Sequence, residues 1–154
     1  MKKVSSYLDL DVWREAMDLV EGTYRLTRKL PASERFGLCS QLERAAVSVA
    51  SNIAEGHERP STRDFLRHLG FSLGSLAEWE TQLEIVVRLG YVEPPFAEPL
   101  RSLGRRVGRM LRGLQKALTN RLRAARPTDS PLPLPASPRP PTPSCPPTFS
   151  PSRG

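Results

Sequence analysis

Two histidines, two cysteines and 16 carboxylates are the residues of this 154-residue chain on which metal or acid–base chemistry would rest. A di-metal centre inside a helical bundle needs carboxylates from several helices. It also needs a Glu-x-x-His pair on each of two helices, because that spacing projects both ligands from one face. Here Glu55 precedes His57 by two residues and Asp64 precedes His68 by four. Neither spacing fits, so no metal and no cofactor is expected. Cys39 falls in a helical pattern with no base beside it, which suits a buried structural thiol better than a nucleophile. No Gly-Lys-Ser or Gly-Lys-Thr sequence is present to cradle a phosphate. Ser48, Ser51, Ser72 and Ser75 have no His–Asp pair behind them, and an isolated Asn52–Glu55 pair is far short of a mechanism. The expectation is a protein without catalytic chemistry.

A second chemistry is binding of anions. Residues 1–100 hold 12 basic and 15 acidic side chains, whereas 101–126 hold nine basic and no acidic ones. The whole positive excess of the chain, net +7, therefore sits in one short segment, and such asymmetry points to an acidic partner. On a helical projection of roughly 100° per residue, Arg105, Arg109, Arg112, Lys116 and Arg123 fall within about 80° of Arg101. Arg106 lies farther round the same helix. Leucines 100, 103, 111, 114, 118 and 122 cluster on the opposite side with Val107 and Met110. This set, Arg101 to Arg123, suits nucleic-acid phosphates, RNA or DNA, with little base preference. No aromatic residue lies within it, so base stacking is not expected. A solvated face is the bland alternative, and a protein-interaction scaffold that binds no nucleic acid is the second functional reading.

A third set is polar and periodic. Gln41, Ser48, Asn52 and Glu55 recur at helical spacing, as do Ser75, Glu78 and Gln82. Each forms a polar stripe beside an apolar one. A hydrogen-bond network that fixes helix register is the favoured reading, and a binding site is the other.

Four helices must position these residues. The first is expected over about Asp9–Lys29, with Leu10, Trp13, Met17, Val20 and Tyr24 on its inner face. The second runs over about Glu34–Gly56, started by a Ser33 cap and ended by Gly56. Leu38, Leu42, Ala45, Ala46, Val49 and Ile53 point inward. The third starts at Ser61 and carries Phe65, Leu69, Ser72, Leu76, Trp79, Leu83 and Val86 in alternating steps of four and three, a heptad seam. Gly90 closes it, and Pro94, Pro95 and Pro99 make the turn into the fourth, Leu100 to Ala125. The expected fold is all-α, an antiparallel up-down-up-down four-helix bundle over residues 1–126. Eleven of the 16 prolines lie in residues 127–154, which reads as a disordered proline-rich tail. No apolar run approaches the roughly 20 residues of a membrane span. No signal-peptide core is present either, so a cytoplasmic setting without membrane association is expected.

The stretch Gln41-Leu42-Glu43-Arg44-Ala45-Ala46-Val47-Ser48, followed by Ser51-Asn52-Ile53-Ala54-Glu55-Gly56, resembles the signature of a known family. So do Arg59 with Ser61 to Phe65, Gly74-Ser75-Leu76-Ala77-Glu78, and Thr81-Gln82-Leu83. The resemblance is to four-helix-bundle proteins encoded by intervening sequences of bacterial 23S ribosomal RNA genes. Accessory variability proteins of retroelements are their distant relatives. It implies a homopentamer with no known catalysis. From the retroelement branch, it implies a basic surface that works with RNA and a protein partner such as a reverse transcriptase. It also places Ser48, Asn52, Glu55, Gly56, Ser75, Glu78 and Gln82 at motif positions that hold the helix pair together or line a subunit contact.

Overall fold

The computed structural model describes residues 6–125. Among them are four long helices and no strand: α1 Asp11–Thr27, α2 Ser40–His57, α3 Thr62–Arg88 and α4 Pro94–Ala124. A single 3-10 turn, Tyr7–Asp9, precedes α1. A further turn, Ala32–Glu34, and a wide kinked turn, Arg35–Cys39, connect α1 to α2. The tail expected over 127–154 lies outside the described residues.

The heptad seam of α3 is the spine of the core. Leu69, Ser72, Leu76, Trp79, Leu83 and Val86 are all buried. Leu42, Ala45, Ala46, Val49 and Ile53 of α2 and Val107 and Leu111 of α4 close around it. Contacts pair rising positions of α2 with falling positions of α3. Ser48 meets Ser75, Val49 meets Ser72, Asn52 meets His68, and Gly56 meets Phe65. The same holds for α3 with α4, where Glu84 meets Arg101, Trp79 meets Gly104 and Leu76 meets Gly108.

Several local expectations are corrected. The innermost stripe of α1 is Val12, Ala16, Leu19, Thr23 and Leu26. The side chains of Leu10, Trp13, Met17 and Val20 are only partly buried beside it, and Tyr24 is exposed. The apolar surface of α1 is wide enough to hold two stripes, and the one that carries Ala16 and Thr23 lies innermost. Gly56 is not an end cap: it is buried inside α2, which continues to His57. A Cβ there would lie 2.6 Å from His68 Cβ and 2.9 Å from Phe65 Cδ2, so the glycine permits close packing of α2 on α3. Ser33 does not cap α2; it sits inside the preceding turn, and Glu34 accepts from the Leu38 N–H instead. Pro94 and Pro95 start α4, where missing N–H groups cost nothing, and Pro99 lies inside the helix rather than in the turn.

Two expectations hold closely. The third helix starts where expected, at Thr62, and Ser61 caps it, accepting from the N–H groups of Arg63 and Asp64. Gly90 ends it with φ of 73°. Its N–H donates to Val87 O at 2.9 Å and that of Tyr91 to Val86 O at 3.1 Å, a Schellman closure that a glycine makes without strain.

The seat of Trp79 yields a test. A Cβ on Gly104 would lie 2.7 Å from Trp79 Cζ3, whereas one on Gly113 meets nothing within 4 Å. Gly104→Ala should therefore lower the melting temperature by roughly 3–10 °C, because overpacking outweighs helix propensity. Gly113→Ala should raise stability by about 0.5–1 kcal/mol. Thermal unfolding of both variants checks this, and a stabilised Gly104→Ala would contradict the packing described.

Candidate nucleic-acid interface

The basic face of α4 divides in two along its length. Arg101 donates to Glu84 Oε2 at 2.6 Å and lies 4.0 Å from Glu98. Arg105 donates to Glu98 Oε1 at 2.6 Å and to Ser102 Oγ at 2.8 Å. Arg106 reaches across to α1 and pairs with Glu15 at 2.6 Å. These three arginines tie α4 to its neighbours or to its own first turns. Arg109, Arg112, Lys116 and Arg123 are exposed, and none has an ion pair among the described residues. The seven cations that the sequence groups together are thus three that are engaged and four that are free. The signal for the division was present in the acidic partners Glu15, Glu84 and Glu98, but they lie on other helices or on the preceding turn.

The carboxylates respond to this pairing. The hydrogen bond from Arg88, with the Arg101 charge, holds the Glu84 carboxyl below its usual range although partial desolvation opposes it. The hydrogen bond from Arg105 does the same for Glu98. A carboxyl whose folded-state pKa is lowered stabilises the fold above its unfolded value, and that stabilisation is lost as pH falls through the folded value. The variant carrying Glu84→Gln and Glu98→Gln should therefore melt below the parent protein at neutral pH, and the gap should narrow as the pH falls below the usual carboxylate range. A gap that persists in acid would show that these pairs are not its source.

The polar stripe forms two separate hydrogen-bonded clusters between α2 and α3. Ser48 Oγ and Ser75 Oγ share a hydrogen bond of 2.8 Å. Asn52 Nδ2 donates to Ser48 O at 2.8 Å and to Ser48 Oγ at 3.1 Å. Asn52 Oδ1 faces His68 Nδ1 at 3.4 Å, and His68 Nε2 lies 3.9 Å from Glu55. Glu55 also accepts from Arg59. Farther along, Gln82 Nε2 donates to Glu78 Oε1 at 3.1 Å, and Arg44 lies 3.7 Å from the same oxygen. Gln82 Oε1 is buried and has no hydrogen-bond partner among the described residues. Sequence reasoning missed His68, which joins Asn52 to Glu55; its place one turn before Ser72 on the third helix was the available clue. Gly74 of the same motif is exposed, with nothing within 4 Å of where a Cβ would stand.

Cys39 is buried, its Sγ 3.6 Å from Thr27 O. Burial, with the charges of Glu43 and Glu34, pushes its thiol up and keeps it protonated. Among the described residues no group of three or more His, Cys, Asp or Glu side chains is placed to hold a metal ion. Among them, too, no helix is long and apolar enough to cross a membrane.

Comparison with known proteins adds a family. A family model described as 23S rRNA-intervening sequence protein matches residues 8–113. The match includes Arg109 and Arg112 and stops before Lys116 and Arg123. Among solved structures, this chain is similar to a protein of unknown function from the S23 ribosomal protein family of Bacteroides thetaiotaomicron. The two share 23% identity over 68% of this chain and 98% of that one, with a TM-score of 0.64. At that identity the likeness shows the fold. No curated protein matches the chain.

Proposed function

We propose, on the premise that the chain belongs to the 23S rRNA-intervening sequence protein family, that it is a non-enzymatic protein that binds nucleic-acid phosphates, those of RNA first. Four of the five α4 cations that have no ion pair among the described residues, Arg109, Arg112, Lys116 and Arg123, share one face and carry this reading. Among the described residues no carboxylate neutralises them, and an arginine fork matches phosphate geometry in two hydrogen bonds. On one face of one helix, residues seven apart are about 10 Å apart along the axis, so the row tracks a phosphate backbone. The engaged trio Arg101, Arg105 and Arg106 serves the fold instead.

The helices form an antiparallel up-down-up-down bundle in this reading, supported by partners that fall along one helix as they rise along the next. The bundle assembles as a homo-oligomer. The partly exposed α1 stripe of Trp13, Met17 and Val20 and the α2–α3 polar seam are the surfaces that favour it. Repeating the α4 row around such an assembly raises avidity without any new contact. The reduced, buried Cys39 suits a cytoplasmic setting. The competing reading, a protein-interaction scaffold, takes the same cations as a dock for an acidic protein.

A salt titration of full-length protein on a structured RNA tests the proposal. Each neutralised phosphate contributes about −0.7 to −0.9 to the log–log slope, so four free cations predict a slope of about −3 or steeper. Absence of binding at about 50 mM salt, where phosphate contacts are strong, would turn the reading to the scaffold.

A further inference from the structure

Phe71 of α3 is 51% exposed, although it is a large apolar side chain in the middle of a well-packed helix. Its ring is held in place. The His68 ring meets it edge-on, with centroids 5.6 Å apart at 85°. The Arg67 guanidinium carbon stands 6.0 Å from its centroid, at the limit of a cation–π contact. His68 is itself anchored by Asn52 and set beside Glu55. The ring borders a cleft of about 510 Å³ whose other lining residues are Arg59, Pro60, Asp64, Arg67 and His68. That volume lies in the range of roughly 300–1,000 Å³ in which small organic groups are held.

The place of the cleft matters as much as its shape. Gly70, next to Phe71, lies against α4 at Gln115, since a Cβ there would stand 4.0 Å from Gln115 Nε2. Lys116 follows Gln115, and Arg112 lies one turn before it. Arg67 and Arg63, both exposed on α3, sit on the same stretch as Phe71. The fold thus brings an exposed aromatic ring to the end of the bundle that carries the free cations of α4, although the two lie some 40 residues apart in the chain. Inside the cleft the charges nearly cancel, because Arg59 is engaged by Glu55 and Asp64 opposes Arg67. The cleft therefore offers a stacking surface, and the electrostatic attraction comes from α4.

We propose that the Phe71 cleft is a stacking site for an unpaired base of a single-stranded or looped nucleic acid whose flanking phosphates run over Arg67 toward Lys116 and Arg112. It rests on the phosphate-binding reading of α4 and adds what that reading lacks, a means to prefer unpaired over paired strands. A flat purine or pyrimidine covers the free part of the ring, and Arg67, over the ring at 6.0 Å from its centroid, stands close enough to meet the adjoining phosphate. A duplex keeps its bases stacked on each other and has none to give.

The test compares full-length protein and Phe71→Leu on short single-stranded RNA, the matching single-stranded DNA and a blunt duplex, at one salt concentration. Loss of one base–aromatic stack predicts that Phe71→Leu weakens single-strand binding roughly 5- to 100-fold and leaves duplex binding within about two-fold. Phe71→Trp should restore single-strand affinity, which a merely structural role would not require. If only the RNA strand loses affinity, the 2′-hydroxyl is part of the site, and equal losses on both strands assign it to the base alone. Unchanged single-strand affinity in Phe71→Leu overturns the proposal while duplex binding by the parent protein leaves the α4 reading standing. A change in the mass of the assembly with affinity intact also overturns it, because Phe71 is then a contact between copies. If the parent protein binds none of the three, the α4 reading itself has failed.

Discussion

Everything that α4 presents to solvent depends on how Trp79 is seated. The indole is fully buried, and its Nε1–H donates to Thr23 Oγ1 at 2.9 Å. Thr23 in turn donates to Leu19 O at 2.7 Å. A buried indole N–H left without that acceptor would cost about 1–3 kcal/mol, so α1 must present Thr23 at that height. The far edge of the ring lies on Gly104, where only a hydrogen leaves room. One side chain of α3 thereby fixes the position of α1 and the rotation of α4. With α4 so turned, Arg101 meets Glu84 and Arg106 meets Glu15, while Arg109, Arg112, Lys116 and Arg123 face outward.

The division of the α4 cations follows from where the acidic residues of the bundle stand. Glu15, Glu84 and Glu98 all lie beside the first half of α4, and they neutralise the arginines there. Past Gly108 the helix continues on α3, and among the described residues no carboxylate is paired to its cations. Exposed ion pairs add little to stability individually. Their larger consequence here is to remove three charges from the surface and concentrate what remains toward one end of the bundle. Phe71 and Arg67 of α3 stand at that same end.

Much of this was legible in residue order. The α3 heptad from Leu69 to Val86 names its own core, because a strict step of three and four admits one inward face. The Ser61 cap and the Gly90 closure are local chemistry, decided within a few residues. The α2–α3 seam was legible as two polar stripes, although their union through His68 needed the pairing of the helices. The α1 stripe was misplaced by one step, because α1 carries two neighbouring apolar rows, Val12, Ala16 and Leu19 beside Trp13, Met17 and Val20, and periodicity alone does not say which lies innermost. Gly56 read as a helix end because glycine serves both turns and close approaches, and only the neighbouring His68 and Phe65 distinguish the two. The split among the α4 arginines was legible only in part. Glu98 stands within α4, three residues before Arg101 and seven before Arg105, but Glu15 and Glu84 lie on other helices, and no periodicity within α4 encodes them.

The central claim is that the second half of α4 carries the nucleic-acid contacts. The most direct measurement is the log–log salt slope for a structured RNA with full-length protein in which Arg109, Arg112 and Lys116 are all glutamine, set against the parent protein, with circular dichroism confirming the fold. Removing three phosphate contacts should make the slope shallower by about 2–3 units and weaken binding at every salt concentration. An unchanged slope in a folded variant would contradict the account and place the contacts elsewhere on the molecule.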